Sequence, residues 1–240
     1  MPIVLITGGS RGIGAQMVRS FFHNGWNVVL NYRSHRAEAE QLCRELPGVL
    51  AIQADVADPE QVQQMFNRIH ETYPAIDVLI NNAGISKAGL FEDFSVQEWQ
   101  EIFAVNFFGA VYCIQHALKD MRKRGKGKII NMSSIWGLKG ASCESSYAST
   151  KAALIGLTRS LAKELGRSGI CINCIAPGMI QTEMNAGYSS ETIQELMEEI
   201  PVGRIGAPED VAALAQFLAS PAADYINGQI LSVDGGWNIV

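Results

Sequence analysis

The apolar run Ile3-Val4-Leu5-Ile6 passes directly into Thr7-Gly8-Gly9-Ser10-Arg11-Gly12-Ile13-Gly14, and that turn leads into a segment of helical periodicity. Ile13, Met17, Val18, Phe21 and Phe22 recur at the spacing that places them on one helical face, suited to packing against a sheet. A buried strand, a glycine-rich turn and an amphipathic helix in immediate succession restrict the architecture strongly, because the helix must cover the sheet that its own strand enters.

The same alternation continues along the chain. Short β-rich apolar runs stand at 28–30, 49–54, 77–80, 128–132, 170–176 and 229–233. Between them lie a charged helix at 35–46 and helical patterns carried by Val62, Met65, Phe66 and Ile69, by Ala110, Ile114, Ala117 and Met121, by Tyr147 to Leu165, and by Val211, Ala215 and Leu218. Strands alternating with helices of this length predict an α/β fold: one Rossmann-like, doubly wound domain over 1–240, with a predominantly parallel seven-stranded sheet covered on both faces. The loosest stretch, 178–205, carries several glycines around a short amphipathic segment, and 185–205 is expected to form a lid over the substrate.

Composition narrows the function classes. A formal net charge of −5 gives no sign of a general nucleic-acid binder. The N-terminus lacks the basic region and cleavage site of a signal peptide, and no uninterrupted apolar run reaches the ~18 residues of a membrane span, so a cytoplasmic protein without a membrane partner is expected. The five cysteines are odd in number and scattered. Cys171 and Cys174 lie in a strand pattern that turns residues three apart to opposite faces, so no metal site is expected there.

The first turn is suited to a dinucleotide. Its glycines permit close approach of a pyrophosphate to the following helix N-terminus, although the spacing departs from the ordinary GxGxxG pattern. Strand two ends in Asn31-Tyr32-Arg33-Ser34 rather than in the acid that binds ribose hydroxyls in NAD sites. Arg33 and Arg11 are suited to bracketing a ribose 2′-phosphate, which favours NADP(H). Asp55 and Val56, at the end of strand three, are candidates for the adenine environment. Asn81-Asn82-Ala83-Gly84 combines small residues with side chains that can satisfy exposed backbone groups on the same side of the sheet.

The chemistry centres on Tyr147-Ala148-Ser149-Thr150-Lys151. On a helix, Tyr147 and Lys151 share a face one turn apart, and a nearby cation favours the phenolate. Ser134, thirteen residues earlier at the end of strand five, is suited to hydrogen-bonding a substrate oxygen, with Ser133 as its competitor. Asn106 either satisfies a local kink or holds a water near Lys151.

Taken together, these segments resemble the classical short-chain dehydrogenase/reductase family, and within it the bacterial 3-oxoacyl-(acyl-carrier-protein) reductase group, over essentially the whole chain to Val233-Asp234-Gly235-Gly236. The resemblance implies a catalytic tetrad of Asn106, Ser134, Tyr147 and Lys151, with Tyr147 as proton donor or acceptor and Lys151 on the nicotinamide ribose, lowering the tyrosine pKa. It assigns Pro177, Gly178, the Ile180 backbone and Thr182 to the nicotinamide, and it implies a homotetramer. It further implies NADPH-dependent reduction of a 3-oxoacyl thioester on acyl carrier protein, engaged by basic residues such as Arg122, Lys123, Arg124, Lys126, Lys128 and Arg167. Lys87-Ala88 stands where many carrier-protein reductases have Arg-Asp, which keeps acetoacetyl-CoA, a small ketone, a sugar or another alcohol open as the substrate.

Overall fold

A computed structural model describes residues 1–183, 187 and 189–238. Among these, seven strands form one sheet: β1 (Ile3–Ile6), β2 (Asn27–Tyr32), β3 (Leu50–Gln53), β4 (Val78–Asn81), β5 (Gly127–Met132), β6 (Ile170–Pro177) and β7 (Ile230–Val233). Their order is β3-β2-β1-β4-β5-β6-β7 and every pairing is parallel, as the sequence predicts. The chain builds outward from β1 to β3 and then returns to the other side of β1. Strand order therefore reverses between β1 and β4, which opens a crevice at their carboxyl ends.

Both faces of the sheet are buried. Helices α1 (Gly12–His23), α2 (Arg36–Glu45) and α9 (Pro208–Ala219) contribute Met17, Phe21, Leu42, Val211 and Leu218 to one apolar layer, together with Val4 and Ile6 of β1. The alternate β1 residues, Ile3 and Leu5, join the opposite layer with residues of α3 (Pro59–Thr72), α5 (Gly109–Arg124) and α7 (Ser145–Leu165), including Phe66, Ile114, Met121 and Leu165. Alternation thus serves two apolar layers, which is why these strands read as continuous hydrophobic runs.

Helix α4 (Val96–Phe103) starts from a capping box in which Ser95 and Glu98 satisfy each other's backbone N–H groups. It continues through a π-helical turn, Ala104–Phe108, into α5. The resulting 29-residue helix, Val96–Arg124, is long and apolar enough by length and composition to cross a membrane, although polar residues interrupt its apolar runs. Within the protein, its Ile114, Ala117 and Met121 pack in the layer beneath the sheet. The short α6 (Trp136–Lys139) follows β5, and α8 (Ser190–Glu199) lies within the predicted lid, of which positions 185, 186 and 188 fall outside the described residues.

A buried amide chain ties the sheet to α7. Asn81 Nδ2 donates to Asn131 Oδ1, and Asn131 Nδ2 donates to Thr158 Oγ1, both at 2.9 Å. Removing the middle member strands two buried polar partners, at about 1–3 kcal/mol each. Asn131→Ala is therefore expected to lower the unfolding free energy by about 2–4 kcal/mol in urea titrations, with an unchanged denaturant slope.

Candidate active site

The crevice between β1 and β4 extends into a cavity of about 680 Å³. At one end the first turn forms a cradle. Gly8 has φ +63, and a Cβ there would stand 2.9 Å from Ala83 Cα; at Gly14 it would collide with the Gly8 carbonyl oxygen. The two backbones can approach only with glycine at these places. Helix α1 begins with no acidic residue in its first turn and no side-chain cap, so its leading N–H groups remain available to an anion. A cradle closed to side chains, at an uncapped helix N-terminus, fits a pyrophosphate.

Two predicted residues beneath the cradle act on the backbone. Thr7 Oγ1 accepts from the Asn82 and Ala83 N–H groups at 3.0 Å each, and Asn82 Nδ2 returns bonds to the Thr7 and Gly8 carbonyls at 3.0 and 3.1 Å. Gly9 donates its N–H to the Asn31 carbonyl. Asn31 lines the cavity, but its amide nitrogen donates to the Ile52 and Ala54 carbonyls and its side-chain oxygen accepts from Gly8 N–H. Its side chain positions β2 against β3 and the turn.

The far end of the cavity is lined by Ser10, Arg11, Gly12, Ile13, Arg33, Ser34, Asp55 and Val56. Arg11 is exposed, and Arg33 lies 3.7 Å from the Asp55 carboxylate, whose other oxygen accepts from Ala57 N–H at 2.9 Å. Two guanidinium groups thus face one mouth, and Asp55 holds one of them.

At the opposite end α7 presents Tyr147 and Lys151 to the cavity beside Ser134 at the end of β5. The Ser134 hydroxyl hydrogen-bonds the tyrosine hydroxyl. Ser133 also borders the cavity, but its hydroxyl donates to the Lys151 carbonyl at 2.8 Å, anchoring α7 to the sheet. That bond commits the Ser133 hydroxyl to the backbone. Lys151 is 4% exposed; its Nζ donates to the Met132 carbonyl at 2.8 Å and stands 5.4 Å from the Tyr147 ring centroid. Burial pushes the tyrosine pKa up to about 12, with Glu144 adding in the same direction and the Ser134 bond opposing. Burial also pulls Lys151 down to about 8. This departs from the expected lysine-lowered tyrosine: the lysine faces the ring and a carbonyl, and desolvation dominates both groups.

Asn106 sits in the π-helical turn and does not line the cavity. It accepts from Ile85 N–H at 2.8 Å and donates to the Ile85 carbonyl and to Thr150 Oγ1. It therefore clamps the β4 loop to the second turn of α7, and a Cβ on Gly84 would lie 3.4 Å from Asn106 Oδ1 and 3.5 Å from Lys151 Nζ. Pro177, Gly178, Ile180 and Thr182 line the wall between the two ends of the cavity, held by a bridge from Ile180 to Gly206 and a bond from Gly178 N–H to the Val233 carbonyl. Thr182 overlooks Gly12.

A family model described as enoyl-(acyl carrier protein) reductase matches residues 8–238. A 3-oxoacyl-(acyl-carrier-protein) reductase of Staphylococcus aureus (strain N315) is 40% identical over 236 residues, covering 97% of this chain and 96% of its own. Similar proteins of that description from Aquifex aeolicus and Synechocystis sp. are 38% and 37% identical over 239 residues, each covering 98% of this chain and 96% of the relative. The chain belongs to the short-chain dehydrogenase/reductase family.

In this short-chain dehydrogenase/reductase the cavity is also lined by residues that the sequence pattern does not single out: Ser86, Trp136, Glu144 and Trp237. Glu144 precedes Tyr147 by three residues, a spacing that signals a shared helical face. Trp237 follows β7, and nothing local in its sequence announces that it meets Trp136, with ring centroids 5.3 Å apart.

The lowered Lys151 pKa carries a stability signature. Between pH ~8 and ~10.5 the unfolded chain binds a proton that the native chain does not, so the cost of burying the ammonium applies in full below that window and is relieved as pH rises through it. Relative to Lys151→Met, the wild-type enzyme is expected to gain a few kcal/mol of unfolding free energy across that interval. Parallel urea titrations at each pH read the difference, and a flat difference would contradict it.

Proposed function

We propose that this protein reduces a carbonyl to a secondary alcohol with NADPH, and that its principal substrate is a 3-oxoacyl thioester on acyl carrier protein. The observation that carries the carbonyl chemistry is the convergence of Ser134, Tyr147 and Lys151 at one end of a cavity whose other end is a phosphate cradle facing two arginines. The cofactor, when bound, supplies the hydride. Gly8 to Gly14 would hold its pyrophosphate, Arg11 and Arg33 its 2′-phosphate, and Lys151 its nicotinamide ribose. Tyr147 keeps its proton at neutral pH, as its raised pKa requires, and delivers it to the carbonyl oxygen as negative charge develops there. Ser134 donates a second hydrogen bond to that oxygen.

The carrier-protein assignment draws on the relatives and on surface charge. Lys123, Lys126 and Arg167 are exposed, whereas Arg122, Arg124 and Lys128 pair with Glu164, Asp77 and Asp224. The exposed cations offer an acidic partner a docking patch. A homotetramer in the cytoplasm completes the reading, with α5 and α7 turned partly toward neighbouring subunits. A second reading, a reductase of another ketone, has one observation in its favour: Lys87 is engaged by Glu98 and by the face of Phe94, not presented to a carrier.

NADPH oxidation with acetoacetyl-acyl carrier protein, alongside non-carrier ketones, separates the readings; turnover of the ketones alone would replace the carrier-protein substrate. Tyr147→Phe is expected to lower kcat by about 10²–10⁴-fold while NADPH still binds by fluorescence titration. Arg11→Ala and Arg33→Ala should each weaken NADPH binding by about tenfold or more and leave NADH binding nearly unchanged. Equal losses for both cofactors would remove the arginines from the 2′-phosphate.

A further inference from the structure

Among the carboxylates that line the cavity, Glu144 is distinguished by its place and its partners. Asp55 pairs with Arg33 at the cofactor's far end, and Glu183 stands beside Gly12 at the phosphate cradle. Glu144 lies at the reacting end, immediately before α7 and three residues from Tyr147. It is half-buried, accepts one hydrogen bond from Ser86 Oγ at 2.7 Å, and forms no ion pair among the described residues. The lysines around it are committed elsewhere. Lys87 pairs with Glu98, Lys151 donates to the Met132 carbonyl, and Lys139 lies 5.1 and 4.6 Å from the ring centroids of Trp136 and Trp237.

A substrate that fills this end of the cavity strips water from the Glu144 carboxylate. An aliphatic chain would leave it with Ser86 alone, an arrangement that costs the desolvation of a charged group. A carboxylate on the substrate would add like-charge repulsion. An ammonium would satisfy the carboxylate through a charge-assisted hydrogen bond, while the tryptophan pair supplies an apolar wall for the intervening carbons. Glu144 and Tyr147 line the same cavity, and the carboxylate's charge adds to the upward shift of the phenol.

We propose that this site accepts, as a further substrate class, carbonyl compounds that carry a primary ammonium group on a short aliphatic chain, with the Glu144 carboxylate as counter-ion. The proposal rests on the reading of Tyr147 as proton donor to a carbonyl. The nitrogen takes no part in bond changes. The carbonyl carbon gains the hydride of NADPH, the oxygen gains the tyrosine proton, and the amine leaves as it entered, protonated.

The test compares kcat/KM of the full-length enzyme with NADPH for amino ketones of graded chain length, neutral ketones with methyl in place of ammonium, and the matching keto acids. The amino ketone of best length is expected to exceed its neutral counterpart by about tenfold or more, with the keto acid lowest and the preference shrinking at high salt. In Glu144→Gln the ratio of amino to neutral ketone should fall toward one, and Glu144→Asp should retain part of it. Equal rates for amino and neutral ketones in the wild type, or an unchanged ratio in Glu144→Gln, would overturn the ammonium subsite. If the variants fail to fold, the wild-type series still decides. Failure to turn over any ketone would instead overturn carbonyl reduction itself, a distinct outcome.

Discussion

Thr7 and Asn82 bond to each other's loops across the point where strand order reverses, and the position of the whole cavity follows from that contact. A parallel sheet places every strand-to-helix turn at one edge, but the turns after β1 and β4 depart in different directions and would leave polar backbone groups facing each other. The threonine hydroxyl and the asparagine amide satisfy those groups from both sides. The glycines then allow the two backbones to close up. The same loop continues to Gly84 and Ile85, where Asn106 takes over and fixes it to α7. One continuous set of hydrogen bonds therefore connects the phosphate cradle to the helix bearing Tyr147 and Lys151.

This arrangement explains why several polar side chains that the sequence pattern assigns to ligands do their work on the backbone. Asn31 and Ser133 bond main-chain partners, and Asn106 bonds the Ile85 backbone and the Thr150 hydroxyl. Buried amides at loop junctions are costly unless satisfied, so they are positioned where the fold has unpaired groups. Their contribution to chemistry is the placement of neighbours: Ser133 fixes the level of Lys151, and Asn106 fixes the loop that Gly84 packs against it.

The electrostatics around Tyr147 and Lys151 follow from depth. Tyr147 and Lys151 share a helical face, and spacing alone suggests that the cation lowers the phenol pKa. In the folded chain desolvation raises one and lowers the other, so each is shifted toward its neutral form. The Glu144 carboxylate adds to the rise of the phenol.

The fold is legible in the amino-acid sequence because periodicity is a local property. Val4 and Ile6 against Ile3 and Leu5, and the face of Met17, Val18 and Phe21, report which sides are buried without reference to distant residues. The turn glycines and the Tyr147–Lys151 spacing are legible for the same reason. What the sequence leaves open depends on residues far apart along the chain. The choice between Ser133 and Ser134, the clamp made by Asn106, the burial that sets the two pKa values and the meeting of Trp136 with Trp237 arise only once β5, α5, α7 and the C-terminal turn are packed together. Sequence determines local pattern through short-range sterics and periodic burial; tertiary packing decides solvation and partners, because these depend on what arrives from elsewhere in the chain.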